Sequence, residues 1–152
     1  SKSYIVPMRG VGLWGPVWGY VALGEDFNTV KGAFFDHKGE TPGLGSKITE
    51  EVFNKDFLNK VITDNNNNYR PIKVIKPGNE RKEYEVAGLS GATFTHVGVE
   101  EMMNRSLAVY NKYFQNNLSQ TSPEIETVSD TTMTVDSTYQ MVIDTNAVLA
   151  IK

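Results

Sequence analysis

The stretch Leu89-Ser90-Gly91-Ala92-Thr93-Phe94-Thr95 lies where a strand must give way to a helix, and that junction limits the fold more than any other segment. Ahead of it, Glu83-Tyr84-Glu85-Val86-Ala87 alternates polar and apolar with period two, as a half-buried strand does. Behind it, Val99, Met102, Met103, Leu107, Tyr110 and Phe114 recur at helical spacing and form one apolar face of about four turns. Gly91 permits the sharp turn between the two, because positive φ costs it no Cβ clash. Ser90, Thr93 and Thr95 crowd three hydroxyls around the point where a helix begins. The free N–H groups of such a start favour an anion, phosphate included. A Thr95 N-cap behind a turn serine and glycine accounts for the same residues with no ligand at all. Local chemistry leaves both readings open.

The preceding 88 residues read as an antiparallel sheet with one helix. Tyr4-Ile5-Val6-Pro7-Met8 is a short strand whose proline places it at an edge or an end. Gly10, Gly12, Gly15 and Gly19 then alternate with Leu13, Trp14, Trp18 and Tyr20. Either backbone approaches a flat ligand there with aromatics as walls, or the chain bends into a buried strand with Trp14 and Trp18 in the core. Val17–Leu23 and Val30–Asp36, joined through Gly24-Glu25-Asp26, form an antiparallel pair. His37 to Gly45 is a loop with one proline and three glycines, either a plain connector or a backbone surface open to a ring system. Beside Asp36, His37 is a surface or hydrogen-bonded histidine. Thr49–Thr63 reads as a helix, with Thr49 as N-cap, Glu50 and Glu51 in the first turn, and Phe53, Phe57 and Val61 on its apolar stripe. Tyr69–Lys76 and Arg81–Val86, around the Pro77-Gly78-Asn79-Glu80 turn, read as a hairpin that delivers the chain to Ser90. This hairpin holds Arg70, Lys73, Lys76, Arg81 and Lys82, either as a solvated face or with one of them facing a phosphate.

Composition excludes several classes. With 39% hydrophobic and 22% charged residues, the 152-residue chain has the makings of one folded core. A formal charge of -3 with no basic block gives nucleic-acid binding no electrostatic support. Zero cysteines remove disulfides, thiolate metal sites and cysteine catalysis, and a count of two histidines, His37 and His96, speaks against a multi-histidine metal site. No apolar run approaches the roughly 18 residues of a membrane span, and no secretory signal is visible.

Three blocks in order, Gly12-Leu13-Trp14-Gly15, Gly39-Glu40-Thr41-Pro42-Gly43-Leu44-Gly45 and Ser90-Gly91-Ala92-Thr93-Phe94-Thr95, resemble the FMN-binding domain family. The likeness is to its members that serve as the C subunits of sodium-translocating NADH:quinone reductases. It covers about the first 115 residues, and three blocks in order are far more specific than one tetrapeptide. The resemblance implies FMN held through a phosphoester to a threonine hydroxyl: Thr93, which closes the Ser90-Gly91-Ala92-Thr93 match, with Thr95 as fallback. It sets Leu13 and Trp14 against the flavin ring and assigns Thr41, Leu44 and Gly45 to ring contacts. A carboxylate and a hydroxyl at Glu40 and Thr41 would suit the ring's polar edge. No His–acid pair stands beside the threonine in sequence to activate it, so a separate flavin transferase is implied as a partner. So are the other subunits of a membrane reductase, an anchoring helix ahead of Ser1, and a periplasmic position at a bacterial inner membrane.

The expected fold is α+β: a curved, mostly antiparallel sheet with two principal helices, about 49–63 and 96–115. Residues 1–117 form the FMN-binding domain, its last helix stopping at Asn116-Asn117, where Asn suits a left-handed C-cap. Residues 118–152 are a Ser/Thr-rich extension with short strand-like runs, of unassigned role. The expected function is electron transfer through covalent FMN in that reductase. The alternatives are a flavin-carrying subunit of a related ferredoxin oxidoreductase, a free-standing flavin carrier, or a non-redox binding module in which the threonines only cap.

Overall fold

In the computed structural model the described residues are 2–120. Residues 118–120 of the expected extension are described, and the rest of it, with its strand-like runs, lies beyond Gln120 and outside the described residues. The first three strands form one antiparallel sheet in the order β1-β2-β3, with β1 at Tyr4–Val11, β2 at Pro16–Leu23 and β3 at Val30–His37. Pro7 lies on β1, which among the described residues has a strand neighbour on one side only, so its missing N–H breaks no ladder there. Period-two alternation sets the inner face for Val6 and Met8 of β1 and for Val17, Val21 and Leu23 of β2, all buried. On β3 the buried Val30 and Phe35 are five apart and share that face through the register shift opposite Ala22 and Leu23.

Beside β3 lie a 3-10 turn, Gly45–Thr49, and the short helix α1, Glu51–Lys55. Phe35, Phe53 and Phe57 meet there, with ring centroids 5.1–5.8 Å apart. A long helix, α2, at Thr93–Gln120, packs mainly against β1. Val99, Met102, Met103, Leu107 and Phe114 are buried on its inner stripe, as their spacing predicts. Its closest approach is at Gly98, where an added Cβ would collide with the Val11 carbonyl oxygen. No larger residue fits, so the start of α2 is pressed onto the end of β1 and the loop that follows it.

The fold class is the expected α+β, but with one main helix. The helix expected over 49–63 is only Glu51–Lys55, with Glu50 rather than Thr49 at the cap position and no side-chain cap. Tertiary hydrogen bonds take over the rest: Val30 N–H donates to the Lys60 carbonyl and Asn59 N–H to the Val30 carbonyl, each at 2.8 Å. Asn28 Oδ1 then accepts the N–H groups of Ile62 and Thr63. Asn59, at φ 62°, turns the chain out of the helix. Phe53, Phe57 and Ile62 are still buried, whereas Val52 is 81% exposed.

The expected hairpin is also replaced. β4, Lys73–Ile75, and β5, Glu85–Ala87, pair in parallel, with Val74 opposite Val86. Alternation is the same for either direction, so the pattern carries no sense of it. One side of β4 is held by α2: Val74 N–H donates to Glu100, while Asn104 accepts Ile72 N–H and donates to the Ile72 carbonyl. β5 joins the other side, with Lys73 N–H on the Tyr84 carbonyl and Gly88 N–H on the Ile75 carbonyl. α2 begins at Thr93, earlier than expected, and runs past Asn116-Asn117. Among the described residues no helix is long and apolar enough to cross a membrane.

Candidate functional site

Both early loops and the start of α2 meet at Glu40, which is 4% exposed. Its Oε1 accepts the Trp14 N–H at 2.8 Å, and its Oε2 accepts the Thr95 hydroxyl at 2.5 Å. Its own N–H donates to His37 Nδ1 at 3.1 Å. One carboxylate thus ties the loop after β1, the loop after β3 and the first turn of α2. A Cβ added at Gly12 or at Gly45 would come within 2.6 Å of a Glu40 carboxylate oxygen, so glycine at both lets the loops close on it. Hydrogen bonds to a charged group are each worth about 1.5–3 kcal/mol, which makes this a strong clamp.

The other side of the same turn is open. Gly91, at φ 74°, makes the bend before the helix, and Ala92 stands at the cap position, its carbonyl accepting the His96 N–H. Alanine has no capping oxygen, so the first α2 N–H groups receive no side-chain acceptor. Beside them is a cavity of about 380 Å³ lined by Val74, Lys76, Leu89, Ser90, Thr93 and His96, among others. Thr93 is exposed, and neither its hydroxyl nor that of Ser90 has a hydrogen-bond partner among the described residues. His96 is 5% exposed, and its Nδ1 accepts the Leu89 N–H at 3.0 Å. Burial pushes the His96 imidazole below its ordinary pKa of 6.5, with Glu100 pulling the other way.

The residues singled out from sequence fall into three groups. Ser90, Gly91 and Thr93 line the cavity. Leu44 sits over the turn, its Cδ2 at 2.9 Å from where a Gly91 Cβ would be. Leu13 and Trp14 are 48% and 67% exposed, and the Trp14 backbone reaches α2 through Glu40. Trp14 is therefore not core. Thr41 is exposed on its loop, where its carbonyl accepts the N–H groups of Leu44 and Ser46. None of Leu13, Trp14, Thr41 and Leu44 lines the cavity itself. Gly45 and Ala92 are buried behind the surface.

Two residues have a different place from the one their chemistry suggests. Glu40 has both carboxylate oxygens engaged inside the fold, so it fastens loops and presents no free edge to a ring. Thr95 is neither the helix cap nor an accessible acceptor: it is 1% exposed and its hydroxyl donates to Glu40. Sequence alone does not single out His96, although its position three residues beyond Thr93 puts both on one helical face. Lys76 is the basic residue that reaches the cavity, while Arg70 pairs with Glu83 and Arg81 with Asp56.

Residues 12–108 match the family described as FMN-binding domain. Among curated proteins, the C subunit of the Na(+)-translocating NADH-quinone reductase of Vibrio campbellii is 43% identical over 101 residues, covering 65% of this chain and 38% of that protein. Its counterpart in Chlamydia muridarum is 38% identical over 124 residues, covering 72% and 39%. The chain therefore spans about two fifths of the length of these relatives. The crystal structure of the same reductase component from Parabacteroides distasonis superposes with a TM-score of 0.69 at 44% identity, over 73% of this chain and 56% of that one. Shewanella oneidensis NqrC gives 0.61 at 33% identity, over 78% and 55%.

Proposed function

The chain belongs to the FMN-binding domain family, and from that membership we propose that it carries FMN on Thr93 through a phosphoester and transfers electrons as the C subunit of a sodium-translocating NADH:quinone reductase. The observation that carries the reading is Thr93 itself: an exposed, unpartnered hydroxyl on the first turn of α2, at the mouth of a cavity.

The residues present fit the group. About 380 Å³ is within the range of small-ligand sites, roughly 300–1,000 Å³. The uncapped helix start and Lys76 suit a phosphate. Leu13, Trp14, Leu44 and Phe94 are exposed apolar surface near the turn, matched to a flat ring. When bound, FMN supplies the electron chemistry, and the protein supplies position and surroundings. Glu40 holds the Leu13-Trp14 and Thr41-Leu44 loops at the start of α2, so the ring contacts proposed for those four residues depend on its clamp, while Gly45, buried, serves the clamp rather than the ring.

Attachment would break the Thr93 O–H bond and the bond from phosphorus to the leaving group of an activated FMN donor. An Oγ–phosphorus bond forms, the proton passes to the departing group, and the protein is left heavier by one FMN less one water. Among the described residues the cavity's imidazole is no free base for that step: His96 Nδ1 already accepts the Leu89 N–H, which leaves Nε2 as a donor. A separate flavin transferase is therefore part of the reading. So are the other reductase subunits, a membrane helix preceding this domain, a periplasmic position, and a segment following α2 that takes no part in holding flavin.

The test is co-expression with a flavin transferase, followed by intact mass and a peptide map. One FMN less one water on the peptide that carries Thr93 is expected. No adduct, or one on Thr95, overturns the reading.

A further inference from the structure

We propose that His96 is a phosphate-binding residue of this site, its Nε2–H donating to a non-bridging oxygen of the phosphoryl group carried on Thr93. The proposal rests on the flavin reading above and adds to it a specific contact.

Geometry is the first support. His96 and Thr93 line one cavity and are one helical turn apart, so a group on the Thr93 oxygen lies on the imidazole's side of α2. The residue is only 5% exposed, yet its ring has nothing to donate to: Nδ1 accepts the Leu89 N–H, and Nε2 has no partner among the described residues. Accepting at Nδ1 fixes the neutral tautomer with its proton on Nε2. Nε2 keeps its solvent contact where the ring lines the cavity, so its proton is free to meet an oxygen that arrives there.

The seat of the ring is the second support. A Cβ added at Gly88 would lie 2.7 Å from His96 Cε1 and 3.0 Å from Nδ1. The backbone therefore closes on the imidazole at Gly88 and holds it at Leu89, the residues that lead into Ser90-Gly91. The loop and the ring fix each other, so the donor is positioned before any phosphoryl group arrives. Lys76 complements it as an exposed, long-stemmed charge that attracts the phosphate without orienting it. Burial keeps the imidazole neutral, so orientation comes from His96 and charge from Lys76.

The experiment compares the whole protein before and after flavinylation. On attachment, the His96 Nε2–H proton and its nitrogen should shift in NMR, the proton downfield. The phosphorus signal of the phosphodiester should differ between wild type and His96→Ala, and return toward wild type in His96→Gln, whose amide N–H can reach the same oxygen. A ring that serves only as core packing would leave both signals unmoved. If mass and peptide map place FMN on Thr93 and the His96 signals stay where they were, the proposal fails alone. If the wild-type protein takes no adduct on Thr93, the flavin reading fails and the proposal with it. The wild-type measurement decides even if neither variant folds.

Discussion

Thr93 and Thr95 are two residues apart in the same helical turn and have the same side chain, yet their surroundings give them opposite roles. A helix turns about 100° per residue, so two positions apart means nearly opposite faces. Thr95 faces the loop after β3, is 1% exposed and donates to Glu40. Thr93 faces the cavity, exposed and without a partner. His96, one residue further, has come back to the Thr93 side. The turn thus separates a locked structural half from an open chemical half. Under the proposed function, which of the two hydroxyls takes FMN is decided by the face that it is on.

The sharpest break of that contrast exchanges the two threonines' fates. Thr93→Ala should abolish the covalent adduct completely while leaving stability within about 0.5 kcal/mol, as for an exposed side chain with no partner. Thr95→Ala should do the reverse: it removes a buried hydrogen bond to a carboxylate, costs about 1.5–3 kcal/mol, and still takes up FMN. Intact mass and urea unfolding, run on both variants with a transferase present, read the two effects separately. Full flavin retention in Thr93→Ala would show that the two faces are not divided as described.

Glu40 carries the locked half, so its loss should cost more than that of Thr95. Glu40→Ala leaves the Trp14 N–H and the Thr95 hydroxyl without their acceptor, and two such bonds at about 1.5–3 kcal/mol each predict roughly 3–6 kcal/mol. Urea midpoints with an unchanged slope would register it. A loss under about 1 kcal/mol would mean that the loops are held by something else.

Gly45→Ala probes the same clamp by overpacking. Its Cβ would stand 2.6 Å from both Glu40 Oε2 and Thr95 Oγ, so the clamp must open. Inserting a methyl into such a site costs about 1–3 kcal/mol. Gly39→Ala, with nothing within 4 Å of the new Cβ, is the matched control and should be near neutral.

Much of the architecture is legible in the sequence because it depends on periodicity. The antiparallel β1-β2-β3 sheet and the buried stripe from Val99 to Phe114 follow from patterns of two and 3.6. What is not legible depends on partners distant in sequence. The helix expected to reach Thr63 ends at Lys55 because Val30 and Asn28 claim the backbone from Asn59 to Thr63. The pairing of β4 with β5 is parallel, a direction that alternation does not encode. At the site, motif order brings out the Gly12, Glu40 and Ser90 blocks that the fold then joins. Glu40 reads as a ligand contact because a carboxylate's burial is invisible in sequence, and its partners Trp14 and Thr95 are 26 and 55 residues away. The spacing of His96 to Thr93 is a usable signal, but a lone histidine means little until its cavity is known.

The smallest expected effect lies on the open half and is read by pH. His96 is buried as a neutral ring whose pKa lies below the ordinary 6.5, mainly through burial, with Glu100 opposing and Lys76 at the same cavity. The Leu89 N–H can be accepted at Nδ1 only while that nitrogen carries no proton, so protonation also releases the turn that leads to Ser90. Well above pH 6.5 the ring is neutral in both folded and unfolded chains, and its contribution to stability is complete. As pH falls below 6.5 the unfolded chain takes the proton first, and stability declines until the folded ring is protonated as well. One proton limits the slope to about 1.4 kcal/mol per pH unit. Urea unfolding of wild type and His96→Gln between about pH 7.5 and pH 5 isolates this residue from the carboxylates and His37, which both proteins share. The wild type should lose more stability over that interval. Parallel curves for the two proteins would show that the imidazole is not held neutral by its seat between Gly88 and Leu89.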